Sequence, residues 1–234
     1  MESYFLELNA IIQFGKDLPR LKIYKNIKTS IWAIIEPMES ISTKNYKIIR
    51  STLKRIEESK INIDWDLPGE KEFSAFGCKI ETIKPELYEL YQNIITTDDI
   101  SKLNEIDSET IFKLIEMRKS AIKMLKQKTK YGETSIDNLQ MSLMLYVCKI
   151  TNKNILTLMD SYDHSLDRYI SAMNEITKIR KKATINIFND VYYFSYLCDE
   201  NTYLVSDDKH MQTLDSKYNK VIKIDEFKKR INFV

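Results

Sequence analysis

The spacing of hydrophobic residues changes twice along the chain and divides it into three parts. In the first part, the apolar residues at 4–14 predict a short strand that leads into a turn or helix. A second apolar run, at 31–35, ends at Glu36 and Pro37. Because proline fits the first turn of a helix, Pro37 predicts a helix that begins near Glu36.

The rest of this first part predicts one more helix and one more strand. A helical pattern continues to about Ser59, and the alternation of apolar and polar residues at 61–65 is typical of a strand. Pro68 and Gly69 then indicate a turn, because this pair of residues punctuates regular structure.

The second part, residues 83–182, has the spacing of helices. It contains one glycine, Gly132, and no proline beyond Pro85. Apolar residues three and four positions apart predict three or four long helices. Heptads are not sustained, so a bundle or hairpin is favoured over a long coiled coil. We therefore expect an all-α segment here.

The third part returns to short elements of alternating type. Strands are predicted at 202–205 and 221–224, between short helices at 189–197, 208–214 and 226–230. Such alternation predicts a parallel sheet. The first and third parts share this character. We therefore predict an α/β domain formed by residues 1–82 and 183–234, interrupted by a helical insertion at 83–182.

Composition supports this fold class and narrows the choice of partners. Hydrophobic residues make up 43% of the 234 positions, which excludes a disordered chain. Only 4 glycines and 4 prolines are present, fewer than an all-β fold with many tight turns requires. The net charge is only +2, so any binding of nucleic acid must come from local patches.

The sequence also predicts the compartment. Cys78, Cys148 and Cys198 are far apart in the chain, which favours free thiols over a disulfide framework or zinc ribbon. No apolar stretch approaches the roughly 20 residues of a membrane helix, and no signal peptide is visible at the N-terminus. We expect a soluble, cytoplasmic protein with no membrane partner.

Acidic residues recur where strands are predicted to end. Glu7 lies at the end of the first strand, Glu36 follows the second apolar run, Asp190 opens a helix, and Asp208 follows the strand at 202–205. The carboxyl ends of parallel strands meet at one edge of a sheet, where ligands bind. Carboxylates gathered there repel one another unless a divalent cation lies between them. The pattern favours a metal site.

These motifs resemble the PIN-like domain family, a metal-dependent nuclease fold. Residues 4–12 (YFLELNAII) resemble its first motif, and residues 30–36 (SIWAIIE) resemble its second. Residues 190–197 (DVYYFSYL) resemble the helix that opens with the third acid, and 203–211 (YLVSDDKHM) resemble the strand and turn with the fourth. The resemblance implies a three-layer α/β fold with a central parallel sheet, interrupted here by the long all-α insertion.

The resemblance also implies an activity. It implies a nuclease, with RNA favoured over DNA, in which four carboxylates bind Mg²⁺ or Mn²⁺ and carry catalysis. Polar residues support these carboxylates, although Asp207 is expected to be a solvated neighbour. On the helix after the second apolar run, Glu39 competes with Glu36 as the metal ligand. The candidate catalytic and metal-binding residues are Glu7, Glu36, Asp190 and Asp208, and the supporting residues are Asn9, Ser206 and Asp207.

Two basic clusters and an aromatic run are further candidates. The cluster just before the third acid would hold the phosphate backbone of a nucleic acid, whereas a solvated helix face is the competing interpretation. The basic residues between 118 and 130 have the same two interpretations, a phosphate-binding surface or a solvated helix face, and the first has less support there. Tyr192, Tyr193 and Phe194 are predicted to pack in the core. The nucleic-acid-binding candidates are Lys178, Arg180, Lys181 and Lys182.

One departure from the family pattern keeps a second hypothesis open. Glu7 stands where the family has aspartate, which moves the carboxylate one bond outward. Mg²⁺ is exacting about geometry, so the alternative is an inactive PIN-like module that binds nucleic acid or protein. A third hypothesis is a helical scaffold whose acidic motifs are accidental, with no parallel sheet.

The role of the insertion does not carry over from the family. We expect it to clamp substrate, to form a homodimer, or to bind a neutralising protein partner. Compact members of the family are often toxins paired with an antitoxin, and RNA processing and defence are the other settings considered.

Overall fold

Five parallel strands form one sheet, and its strand order places β1 at the centre. The computed structural model describes residues 2–130, 139–179, 190–197, 199–215 and 217–233. The strand order is β3-β2-β1-β4-β5, with every pair parallel. The strands are β1 (Ser3–Leu6), β2 (Ile27–Ser30), β3 (Asn62–Asp64), β4 (Thr202–Val205) and β5 (Val221–Ile222).

Helices connect the strands and fill the interval between β3 and β4. A 3-10 helix at Gly15–Ile23 follows the first α-helix, and another at Tyr193–Tyr196 precedes β4. The α-helices are α1 (Leu8–Phe14), α2 (Trp32–Met38), α3 (Tyr46–Ser59), α4 (Pro68–Ala75), α5 (Lys84–Thr96), α6 (Glu105–Lys130), α7 (Leu139–Thr151), α8 (Ile155–Ser161), α9 (Asp167–Ile179), α10 (Lys209–Leu214) and α11 (Ile224–Arg230).

The central strand separates two hydrophobic cores. Successive side chains of a strand point to opposite faces of the sheet. Accordingly, Tyr4 and Leu6 belong to one buried cluster, whereas Phe5, between them, belongs to the other. The sheet is therefore covered by helices on both faces, as the predicted α/β class with a parallel sheet requires.

Residues of the predicted insertion contribute to both cores. Buried side chains of α5 and of the start of α6 join the cluster that contains α1, α3 and α11. Buried side chains of α7, α8 and α9 join the other cluster, with α4 and the aromatic turn before β4. Within the described residues, no strand lies between β3 and β4, in agreement with the predicted helical interval. The boundaries of the insertion stay a prediction.

Two predictions based on proline are wrong. Helix α2 begins at Trp32, so Pro37 lies in its last turn and not its first. Pro37 has no amide hydrogen to donate to the Ala33 carbonyl, and the helix ends one residue later. Pro68 and Gly69 form no separate turn, since Pro68 is the first residue of α4. The Glu70 side chain accepts a hydrogen bond from the Leu67 amide at 2.7 Å and stabilises this start.

Other sequence predictions have clear outcomes. The strands predicted in the segments 4–14, 61–65, 202–205 and 221–224 are present, but β2 was not predicted, and the apolar run at 31–35 lies mostly in α2 instead of ending a strand before Glu36. The interval predicted to hold three or four long helices contains five among the described residues, α5 to α9. The parallel sheet contradicts the hypothesis of a purely helical scaffold. Cys78 and Cys148 are free thiols, and Cys198 lies outside the described residues. None of the helices in the described ranges is long and apolar enough to cross a membrane.

The central position of β1 predicts where the fold is most sensitive. Leu6 is fully buried in β1, so Leu6→Ala should lower the free energy of unfolding by about 2–5 kcal/mol. Ile12, on α1, is 53% exposed, and Ile12→Ala should cost less than about 1 kcal/mol. Urea unfolding of both variants measures the difference. Equal losses would contradict the position assigned to β1.

Candidate acidic site at the carboxyl edge of the sheet

The strand order places a crevice between the ends of β1 and β4. The chain proceeds outward from β1 through β2 and β3 on one side, and β4 and β5 extend the sheet on the other. In open α/β sheets, ligands bind where the strand order reverses in this way. Glu7 directly follows β1, and 206–208 directly follow β4. The candidate acids therefore lie at the expected position for a site.

Glu7 is buried and held by two side chains. Its side chain is 3% exposed, and its backbone amide donates to the Val205 carbonyl at 3.3 Å. One carboxylate oxygen, Oε1, accepts from Asn9 Nδ2 at 2.9 Å. The other, Oε2, accepts a short hydrogen bond from the Ser206 hydroxyl. Glu7 is thus fixed in orientation between β1 and β4.

Ser206 links Glu7 to Asp208. Ser206 is fully buried, and its Oγ also accepts from the Asp208 amide at 3.1 Å. Asp208 is the N-cap of α10, because its side chain accepts from the His210 amide at 2.6 Å. A serine between two acids therefore determines the position of both. The structure gives the predicted supporting residues Asn9 and Ser206 direct contacts with Glu7.

The remaining two acids interact with this pair through charge. Glu36 lies in the last turn of α2, and Asp190 is helical and half-buried before the aromatic turn. Glu7, Glu36 and Asp208 each act electrostatically on Asp190, and Asp208 and Glu36 act on Glu7. The choice between Glu36 and Glu39 as the ligand stays a prediction.

The pKa values of two of the acids are raised. Burial, with charge from the neighbouring carboxylates, raises the pKa of Glu7 from 4.5 to about 7, although Ser206 and Asn9 oppose the shift. Burial and the same neighbours raise the pKa of Asp190 from 3.8 to about 7. In the described residues, the groups that cause these shifts are all acidic or neutral. The site therefore concentrates negative charge that a cation would stabilise.

The carboxylates do not form a closed metal site. Among the described residues, no group of three or more His, Cys, Asp or Glu side chains converges closely enough to hold a metal ion. The four acids interact electrostatically, but no three of them form such a group as the side chains stand. Binding of an ion would require these side chains to move closer together.

The remaining predicted site residues are Asp207 and the basic cluster before Asp190. Asp207 is exposed, and its Oδ1 accepts from the Ile224 amide at 3.0 Å, so it joins the end of β4 to the start of α11. Lys178 lies in α9, for which only the backbone is described at that point. Arg180, Lys181 and Lys182 lie outside the described residues.

Glu72 and a set of buried hydroxyl groups were not predicted from the sequence. Glu72, on α4, has its pKa raised to about 7 by burial alone, and it acts on Tyr169 and Tyr192 in the second core. Tyr193 and its neighbours are buried, as predicted, and Glu7 and Glu36 act electrostatically on the hydroxyl of Tyr193. The position of Tyr193 three residues after Asp190, on the same helical face, was the available signal.

Comparisons with protein-family models, curated proteins and solved structures found no match to this chain.

The raised pKa values predict that the protein loses stability as pH rises. A carboxyl group with a higher pKa in the folded state binds its proton more tightly there, so the unfolded chain ionises first. The contribution of protonated Glu7 and Asp190 to the free energy of unfolding should be complete below about pH 4. It should be lost progressively up to about pH 7. Urea unfolding in metal-free buffer between pH 5 and pH 8 measures this slope.

Glu7→Gln identifies the source of the slope. Between pH 5 and pH 8, the free energy of unfolding of the variant should rise by about 1–3 kcal/mol relative to that of wild type. The reason is that one unit of pKa shift corresponds to about 1.4 kcal/mol. Glu89→Gln, at an exposed position of α5, is the control and should follow the wild-type profile. A Glu7→Gln profile parallel to wild type would contradict the raised pKa of Glu7.

Proposed function

We propose that this protein is a divalent-metal-dependent nuclease of the PIN-like type, with RNA as its preferred substrate. The observation that carries the proposal is the position of Glu7 and Asp208 at the strand-order reversal of a parallel sheet, where Glu36 and Asp190 interact electrostatically with them. The pKa values of Glu7 and Asp190 are raised to about 7. The order of the acids along the chain, and the resemblance of the segments around them, add support.

The oxygen atoms of the four candidate carboxylates are the type of ligand that a hard divalent cation prefers. Mg²⁺ and Mn²⁺ prefer carboxylate and carbonyl oxygens, and these four side chains offer carboxylate oxygens only. The negative charge gathered around Glu7 and Asp190 gives a cation a favourable electrostatic environment. We propose Glu7, Glu36, Asp190 and Asp208 as the residues that would hold it. A bound cation would supply activation of water and stabilisation of phosphate oxygens.

The other residues orient the acids. Asn9 and Ser206 each donate to a different oxygen of Glu7, which fixes the plane of its carboxylate. Ser206 has a further role, because its hydroxyl oxygen accepts a hydrogen bond from the Asp208 amide and so positions that backbone. Hydrogen bonds to an ionised carboxylate favour the charged form, so both residues keep Glu7 more ionised than burial alone would allow.

The substrate assignment rests on the resemblance and on local charge. The phosphate backbone requires cations, and the net charge of +2 supplies no global attraction. We propose Lys178, Arg180, Lys181 and Lys182, which precede Asp190 by 8 to 12 positions, as the contacts to the RNA backbone. RNA is favoured over DNA by the resemblance alone.

The alternative is an inactive PIN-like module that binds nucleic acid or protein. The separation of the carboxylates in the described structure and the glutamate at position 7 favour this alternative. Cleavage with Mn²⁺ but not with Mg²⁺ would indicate a tolerant active site. Absence of cation binding in the presence of RNA would favour the module.

The proposal predicts that Asp190→Asn abolishes cleavage without unfolding the protein. The substitution removes one charge at nearly constant volume, so circular dichroism and thermal unfolding should match or exceed those of wild type. Cleavage of a labelled RNA, with Mg²⁺ and separately with Mn²⁺, should fall at least about 100-fold, which is the loss expected when a group essential to catalysis is removed.

Two matched variants make this test specific. Asp208→Asn should also lose cleavage while it keeps α10, because asparagine caps helices about as well as aspartate. Asp225→Asn, in the first turn of α11 and exposed, should cleave like wild type. Full activity in Asp190→Asn, with a preparation shown to be free of contaminating nuclease, would refute the assignment of Asp190.

A further inference from the structure

Large apolar side chains are concentrated on the outer side of two consecutive helices, α7 and α8. Residues three and four positions apart share one face of a helix, and the exposed apolar residues of both helices follow this spacing. Each of them is at least 51% exposed. They are Leu145, Tyr146 and Ile150 on α7, and Leu156 and Met159 on α8.

The two helices expose these residues on the same side of the molecule. Val147 of α7 and Leu158 of α8 are fully buried, and both belong to the second hydrophobic core. Only residues 152–154 separate the two helices, which pack against each other. Because both helices turn their buried sides into one core, their five exposed apolar residues lie together on the outside. We call this surface, formed by those five residues, the α7–α8 face.

Charges of opposite sign flank Leu156 on this surface. Lys149 and Lys153 precede Leu156 in the chain, Asp160 and Asp163 follow it, and all four charged side chains are exposed. This balance gives no net attraction for the phosphates of a nucleic acid or for an anionic membrane. The complementary partner is a protein surface that carries acidic and basic groups in the reverse order, with apolar residues between them.

We propose that the α7–α8 face is the interface of a two-fold symmetric homodimer, with the axis near Leu156. In such an interface a surface meets its own copy, so each contact between two positions occurs twice. The axis brings Lys153 of each copy to Asp160 of the other, and Lys149 towards Asp163. The apolar residues then bury one another at the centre, as is typical of homodimers. This inference does not depend on the proposed nuclease activity.

A cavity at one end of the face has room for a side chain of the second copy. It has a volume of about 590 Å³ and lies between the segment that follows α4 and the end of α7. Ile150 and Lys153 line it, together with Cys78 and Ile80. The two-fold arrangement brings the end of α8 of the second copy, with Met159, towards this cavity. Methionine is flexible and fills irregular apolar spaces.

Leu156→Asp tests the apolar centre, with Ile48→Asp as the matched control. The two residues are 64% and 71% exposed, and each lies in the first turn of its helix, where aspartate is favourable. Ile48 is on α3, whose buried residues belong to the other core. By sedimentation equilibrium, wild type and Ile48→Asp should have about twice the mass of the 27.7 kDa chain. In Leu156→Asp the dimer dissociation constant should rise at least about tenfold.

Exchange of charges tests the two-fold pairing. Lys153→Glu adds negative charge near the start of α8, and Asp160→Lys adds positive charge near its end, so both changes suit the helix dipole and both variants should fold. Each variant alone brings like charges together and should weaken its own homodimer about tenfold. An equal mixture of the two variants should form a heterodimer of nearly wild-type affinity. The double variant Lys153→Glu/Asp160→Lys should likewise dimerise with itself.

Three results would overturn the inference. The first is a wild-type protein that stays monomeric at the highest concentration measured, which would leave the face to a different protein. The second is a dimer that Leu156→Asp does not weaken, because its interface would then lie elsewhere. The third is failure of both the mixture and the double variant to restore association. Circular dichroism of every variant separates loss of association from loss of fold, and none of these results bears on the proposed function.

Discussion

The burial of Glu7 at the end of the central strand is the constraint on which the site depends. A carboxylate that is 3% exposed has lost nearly all of its hydration, and other acids lie close to it. Burial of a charge is tolerated when hydrogen bonds or a counter-charge stabilise it, or when the group takes up a proton. The protein supplies Asn9 and Ser206, and these two donors only partly offset the loss.

This constraint connects the topology of the sheet to its chemistry. Ser206 reaches Glu7 because β1 and β4 are neighbours, paired from Ser3 with Thr202 to Leu6 with Val205. That pairing joins segments almost 200 residues apart in the chain, so helices α5 to α9 must be accommodated between them without disturbing it. They do so by packing on both faces of the sheet, which adds core without adding strands among the described residues.

The sequence predicts the kinds of element well and their spatial relations less well. The short apolar segments that alternate with helices predicted the parallel sheet. The acids that follow these segments predicted the edge of the sheet at which the candidate site lies. The start of α2 was mispredicted because Pro37 was assigned to the first turn of the helix, whereas it lies in the last turn. Local pattern cannot distinguish these two positions, since the packing of Ile34 and Ile35 against the core decides between them.

The parts of the site that local pattern could not predict are those set by distance in space. The separation of the carboxylates depends on how α2 and the aromatic turn dock on the sheet, and neither spacing nor residue type encodes it. The hydroxyl of Tyr193 is a similar case, because the aromatic ring satisfies the hydrophobic pattern by itself and conceals the polar atom that it carries. A phenylalanine would fill the same space, as Phe194 does next to it. The pattern therefore assigns position 193 correctly to the core, but it does not show that Glu7 and Glu36 act electrostatically on the oxygen there.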